Sequence, residues 1–166
     1  EVWSFGSHSS GRLGHGDESA QLPSGEWPPA EVFLPRRIEA LAGHHAFAVA
    51  AGDGGHCAVL TKEEGAYTFG NGFAGRLGHG DTDNRTVPTP VAALRGECIA
   101  AVSLGSSHSL FVTVDGRVFA CGESSAMRFG SLDSQAPAPP RRRGGVAPSR
   151  PQTVPIEMPG LRVSCK

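Results

Sequence analysis

Histidine, serine, aspartate and glycine, the residue types from which hydrolytic, metal and phosphate sites are built, fall in repeated settings along this chain. Gly-Arg-Leu-Gly-His-Gly-Asp occurs letter for letter at residues 11–17 and again at 75–81. His15 and His79 belong to these copies, while His56 and His108 open two further matched stretches, residues 55–61 and 107–113. Repeated histidines suggest metal binding. Ser107, His108 and Asp115 together suggest a nucleophilic triad. Residues 70–75 read Gly-Asn-Gly-Phe-Ala-Gly, the glycine fingerprint of a dinucleotide-binding turn.

None of these chemistries survives its neighbours. Positions that recur once per repeat are displaced by a whole structural unit and do not converge on one ion. Adjacent strand residues point to opposite faces, so Ser107 and His108 do not face each other. No nucleophile-elbow motif is present. The glycine fingerprint needs a helix N-terminus to meet a pyrophosphate, yet Arg76-Leu77-Gly78-His79-Gly80 follows, a glycine-broken loop. No residue is therefore assigned a catalytic, cofactor-binding or metal-binding role, and neither a cofactor nor a small-molecule substrate is expected. Each imidazole, or its neighbouring hydroxyl, is expected to satisfy backbone groups inside its own repeat. Asp17 and Asp81 are expected to pin their loops by side-chain-to-backbone bonds. A structural role is assigned to Gly6, Gly14, His15, Gly16, Asp17, His56, Gly70, Gly78, His79, Gly80, Asp81, His108, Asp115, Gly116 and Gly122.

The elements carrying these residues repeat as well. Trp3-Ser4-Phe5-Gly6 and Tyr67-Thr68-Phe69-Gly70 precede the two motif copies, and Val118-Phe119-Ala120-Cys121-Gly122 precedes a weaker third, Arg128 to Asp133. Leu34-Pro35 with Ile38 and Leu41 aligns with Val87-Pro88, Val91 and Leu94, and with Val154-Pro155, Met158 and Leu161. The unit is about 50 residues, a blade-type period. It divides the chain into repeat one (1–65), repeat two (66–116) and an incomplete repeat three (117–166), with insertions near 19–30 and 134–150. Short apolar runs bounded by glycine read as strands, and 23 Gly with 13 Pro argue against long helices. Asp115-Gly116 reads as a two-residue hairpin of the primed type. The expected fold is all-β, a partial β-propeller of four-stranded antiparallel blades.

The aromatic-x-Phe-Gly run, the Gly-Arg-Leu-Gly-His-Gly-Asp motif, the Pro-x-x-Val/Ile-x-x-Leu segment and the His-Ser/Cys-x-x-x-Thr stretch resemble the regulator of chromosome condensation repeat family. The resemblance is close over residues 1–122 and looser over 123–166. It implies a closed ring of seven blades in complete members, in which residues 1–6 finish an upstream blade. Residues 34–70 and 87–122 would form whole blades, and 153–166 would begin another. With no initial Met and an end inside a repeat, the chain is expected to be a piece of a longer protein.

The 166 residues carry a net charge of −1, so no global field favours nucleic acid or anionic membranes. No apolar stretch is long enough for a membrane helix, and no membrane association is expected. Cys57, Cys98, Cys121 and Cys165 lack metal-type spacing and suit an intracellular compartment, cytoplasmic or nuclear. The insertions depart from the repeat and are the candidate partner contacts. Trp27 in the first is either an exposed contact anchor or a side chain folded back onto its blade. Arg141, Arg142, Arg143 and Arg150 in the second form either a solvated linker or a site for phosphates or an acidic partner.

The function expected is a non-catalytic, protein-binding scaffold. The resemblance implies alternatives: guanine-nucleotide exchange on a Ran-like small GTPase, or docking to nucleosomes or DNA through the arginine-rich loop. It also includes propellers within ubiquitin ligases and ciliary proteins, and a plant branch that senses UV-B through clustered tryptophans. Only Trp3 and Trp27 occur here, which disfavours the last. A protein partner, a small GTPase or chromatin, is expected.

Overall fold

The computed structural model describes residues 1–16, 31–123 and 151–163. Its strands, in chain order, are β1 (Trp3–Ser7), β2 (Glu31–Arg37), β3 (Ala46–Gly52), β4 (His56–Thr61), β5 (Gly65–Gly70), β6 (Arg85–Pro90), β7 (Ile99–Leu104), β8 (His108–Thr113), β9 (Arg117–Gly122) and β10 (Gln152–Arg162). Among the described residues the only helical elements are three-residue 3-10 turns. The strands form antiparallel meanders: a β1–β2 pair, a sheet β3-β4-β5-β6 and a sheet β7-β8-β9-β10. This is the expected all-β architecture of four-stranded blades.

The phasing of the blades differs from expectation. The proline-bearing strands β2, β6 and β10 do not open new blades at 34, 87 and 153. Each returns antiparallel on the strand before its loop, Tyr67 opposite Pro90 and Gln152 opposite Gly122. The two whole blades are therefore residues 46–90 and 99–162, and β1 pairs with β2, Trp3 opposite Arg37. Proline supplies the reason. It has no N–H to give a ladder, so Pro88 and Pro155 belong on an outer edge strand.

Packing follows the two-residue period of the strands. In β4, Val59 joins Ile38, Leu41, Tyr67 and Phe69 in a cluster facing the β1–β2 sheet. Its neighbour Leu60 points the other way, into a cluster with Leu94, Ile99, Phe111 and Phe119 toward the next blade. The middle blade is thus covered on both faces, and β4 and β5 are almost continuously buried. In β8, buried and half-buried residues alternate instead, the pattern of a strand covered on one face. Fully enclosing side chains such as Leu60 and Phe111 contributes about 2–3 kcal/mol each.

The β8–β9 turn is also not the primed hairpin expected. The Gly116 N–H donates to Thr113 O, making Val114 and Asp115 the central residues, and Gly116 follows at φ +84°. Both primed types need positive φ at the first central residue, which Asp115 does not adopt. A turn closed by a glycine in the left-handed region keeps Asp115 at ordinary φ and leaves its carboxylate to bond Thr113 and Arg117.

Candidate functional site

The twin motif lies at the junctions between blades. After β1 and after β5 the chain makes a 3-10 turn (Ser9–Gly11, Phe73–Gly75) and then crosses onto the outer strands of the following blade. Contact there is backbone to backbone. A Cβ on Gly11 would lie 2.5 Å from Thr86 Cα, and one on Gly75 would lie 2.7 Å from Thr153 Cα. Gly16 N–H donates to Thr86 O at 3.0 Å and Gly80 N–H to Thr153 O at 2.8 Å. Over their described residues, 11–16 and 75–80, the two copies are equivalent, and neither forms a helix beyond the short turn at its start.

The histidines of the motif sit in matched networks. Ser4 Oγ donates to Leu13 O at 2.6 Å, and Thr68 Oγ1 donates to Leu77 O at 2.7 Å. Each hydroxyl gives its only proton to that carbonyl, so the imidazole must be the donor to the hydroxyl. His15 Nε2 meets Ser4 Oγ at 3.0 Å and His79 Nε2 meets Thr68 Oγ1 at 2.9 Å. Burial, followed by the nearby Arg85 charge, holds the His79 pKa below its ordinary value. This is the reverse of a nucleophile–base pair, in which the hydroxyl donates to a bare imidazole nitrogen.

His56 departs from expectation. Its partner is in the next blade rather than its own: fully buried, it meets Ser109 Oγ of β8 at 3.1 Å through Nε2. Ser109 in turn donates to Arg76 O at 2.6 Å, so His56 is again the donor. Desolvation, with Arg76 next, lowers the His56 pKa to about 4. At the preceding junction Cys57 takes the place of Ser109, its thiol 3.4 Å from Arg12 O. Burial raises the Cys57 thiol, and it raises that of Cys121 to about 12, which leaves neither as a ready thiolate.

The motif arginine was not singled out from the sequence. Arg76 is 5% exposed. Its Nε donates to Phe73 O at 2.7 Å, and its Nη1 donates to Gly54 O at 2.8 Å and Ser106 O at 2.6 Å. One guanidinium thereby ties its own loop to the β3–β4 turn and to the β7–β8 turn of the next blade. Arg12 repeats the first of these bonds, Nε to Ser9 O at 2.9 Å. The signal available was a cation kept between Gly and Leu in both copies.

The other assigned residues are scattered. Asp81 receives the Asp83 N–H at 3.0 Å and an Arg85 Nη2 at 2.6 Å, and these bonds lower its pKa. Asp115 lies beyond the far end of β8 from His108, so Ser107, His108 and Asp115 form no triad. Gly6 is the last residue but one of β1, and Gly70 and Gly122 end β5 and β9, all at positive φ. No cluster of three or more His, Cys, Asp or Glu side chains suited to a metal occurs among the described residues. No helix there is long and apolar enough to cross a membrane. Asp17, Trp27, Arg141, Arg142, Arg143, Arg150, Cys165 and the weaker third motif copy lie outside the described residues.

Comparison with known proteins gives a consistent picture. A family model described as "Regulator of chromosome condensation (RCC1) repeat" matches residues 1–60 and 63–112, and a second of the same description matches 99–126. The E3 ubiquitin-protein ligase HERC2 of Homo sapiens is 36% identical over 132 residues, 78% of this chain and 3% of the ligase. The ultraviolet-B receptor UVR8 of Arabidopsis thaliana is 33% identical over 141 residues, 85% of this chain and 30% of the receptor. Among solved structures, Prp20p from Saccharomyces cerevisiae superposes with a TM-score of 0.69 at 21% identity, covering 96% of this chain and 35% of that one. Human WBSCR16 also gives 0.69, at 23% identity, over 94% of this chain and 34% of its own. The chain thus spans little more than a third, or less, of each of these relatives.

Proposed function

We propose, of a chain that belongs to the regulator of chromosome condensation (RCC1) repeat family, that it is a non-catalytic protein-interaction module, part of a propeller on whose loops another protein docks. The observation that carries this reading is the state of the candidate chemical groups. The hydroxyls of Ser4, Thr68 and Ser109 give their protons to backbone carbonyls, and His15, His79 and His56 act as donors to them. These groups hold blades rather than turn over a substrate.

The junctions also support the placing of partner contacts in the insertions. The insertion near 19–30 joins the first motif copy to β2, and that near 134–150 joins β9 to β10, so both occupy the same connection of their blades. In the middle blade that connection is the short loop from the motif to Arg85. Trp27, Arg141, Arg142, Arg143 and Arg150 are the proposed contacts. The same reading places the chain in the cytoplasm or nucleus, with Cys57, Cys98 and Cys121 unpaired. The test is quantitative co-purification from cell extract of the full chain against variants with either insertion replaced by the short middle-blade connection. Loss of the principal partner from one variant is expected. A partner set unchanged by both replacements would overturn the assignment to the insertions.

Guanine-nucleotide exchange on a Ran-like GTPase is the second reading. It follows from the fold shared with Prp20p, described by its binding to Gsp1p and histones. A nucleotide-release assay on the full-length protein separates the two, since acceleration well above background would remove the scaffold-only reading. Docking to DNA or nucleosomes through Arg141–Arg143 predicts salt-dependent binding that is lost when all three are replaced by alanine.

A further inference from the structure

The chain has two asparagines, Asn71 and Asn84, and they meet at one turn. Asn71 is followed by glycine and Asn84 by arginine. An asparagine before glycine is chemically vulnerable. The next main-chain nitrogen can attack the side-chain amide carbon, and glycine has no side chain to block the approach. At the matching position the other repeats carry Ser7 and Glu123, so the vulnerability is a departure from the repeat.

Packing requires that glycine. A Cβ at Gly72 would collide with Asp83 O and lie 2.8 Å from Thr82 O, where the chain leading into β6 crosses the turn. The turn is pinned on both sides. Asn71 N–H donates to Gly55 O at 2.9 Å, and Phe73 O accepts Arg76 Nε at 2.7 Å.

Hydrogen bonds also orient the two reacting groups. Phe73 N–H donates to Asn71 Oδ1 at 2.9 Å, which fixes the side chain in an Asx turn and polarises the carbonyl under attack. Gly72 N–H, on the attacking nitrogen, donates to Asn84 Oδ1 at 2.9 Å. Ring closure requires that nitrogen to lose its proton and turn toward Asn71 Cγ. The bond to Asn84 opposes both.

We propose that Asn71 is a site of spontaneous deamidation and that Asn84 sets its rate. Gly72 N forms a bond to Asn71 Cγ and its proton passes to solvent. The Cγ–Nδ2 bond breaks, and the nitrogen leaves as ammonia with a proton taken from solvent. Water then opens the cyclic imide at either carbonyl, giving aspartate or isoaspartate with no change of oxidation state. Aspartate keeps an oxygen for the Phe73 N–H. Isoaspartate adds a carbon to the main chain between two pinned points, and so loosens the junction that Arg76 spans from Gly54 to Ser106.

The experiment ages the full chain and its Asn84→Ala variant at mildly alkaline pH, folded and in guanidinium chloride, with peptide mass spectrometry as the readout. The folded native protein should convert at Asn71 in preference to Asn84, and more slowly than in denaturant. N84A, altered at an exposed position, should convert about tenfold faster when folded, the worth of the one hydrogen bond removed. In denaturant, where that bond is absent, the two rates should agree. The isoaspartate fraction, separated by chromatography, should melt below the unaged protein. Absence of conversion at Asn71, conversion equal at Asn84, a folded native rate as fast as in denaturant, or equal rates in the two folded proteins would overturn the proposal. So would a difference that persists in denaturant, or an isoaspartate fraction as stable as unaged protein.

Discussion

Acid should loosen the junction between the two whole blades through His56. The imidazole is fully buried, with Ser109 Oγ on Nε2, no hydrogen-bond partner on Nδ1, and the Arg76 guanidinium and His108 as its charged or titratable neighbours. The folded protein keeps it neutral, with its pKa lowered from 6.5 to about 4, while in the unfolded chain it regains the ordinary value. Its contribution is therefore complete above about pH 6.5 and falls away as the pH drops toward about 4. That displacement corresponds to about 3 kcal/mol in all, of which about 2 kcal/mol disappears between about pH 7 and pH 5. Lowered carboxylates such as Glu63 and Asp115 add their own loss only at lower pH, so this window is free of them. His79, lowered in the same direction, contributes to the slope in any variant that retains it. Urea unfolding across the window, with the native protein beside His56→Gln, isolates the His56 share. Glutamine offers Ser109 an N–H but takes up no proton. The variant should be less stable near neutrality and show a shallower pH slope by about 2 kcal/mol. Identical slopes would refute the reasoning.

Gly75→Ala should cost about 2–4 kcal/mol, because it adds a clash with Thr153 to the penalty of a left-handed residue. Gly43→Ala, at φ +84° with open space around it, should cost only about 1–2 kcal/mol, and equal losses in urea would count against the close approach. Arg76→Met should lose about 2 kcal/mol by stranding the carbonyls of Gly54 and Ser106, with faster hydrogen exchange at the Gly55 and Gly105 amides. Arg117→Met, which frees Glu97 and Asp115, should lower stability less than Arg76→Met does, and thermal melts in high salt should narrow the gap to the native protein.

Much of the fold was legible because local chemistry and repetition agree. The aromatic-Ser/Thr-Phe-Gly runs became β1 and β5, and the motif glycines mark where the chain turns tightly and touches the next blade. Blade phasing was misread because a repeat reveals its period but not which neighbour each strand pairs with. The clue was present in Pro35, Pro88 and Pro155, which exclude a central strand. The turn at Asp115-Gly116 was misread because that dipeptide suits two hairpin types. Only the Gly116–Thr113 bond distinguishes them. The bulge at Phe47 in β3 gave no local sign, since a bulge is a property of two paired strands.

What the sequence determined alone was the unit: its strands, its glycine turns, its family and the places where insertions enter. Those properties depend on backbone sterics and on hydrophobic period, which act over a few residues. Tertiary structure decided what the polar residues do. His56, Ser109 and Arg76 are far apart in the chain, and their roles depend on how one blade sits against the next. A desolvated polar group must find a partner wherever folding brings one near. The same long-range packing brought Lys62, Arg95 and Phe47 to one groove.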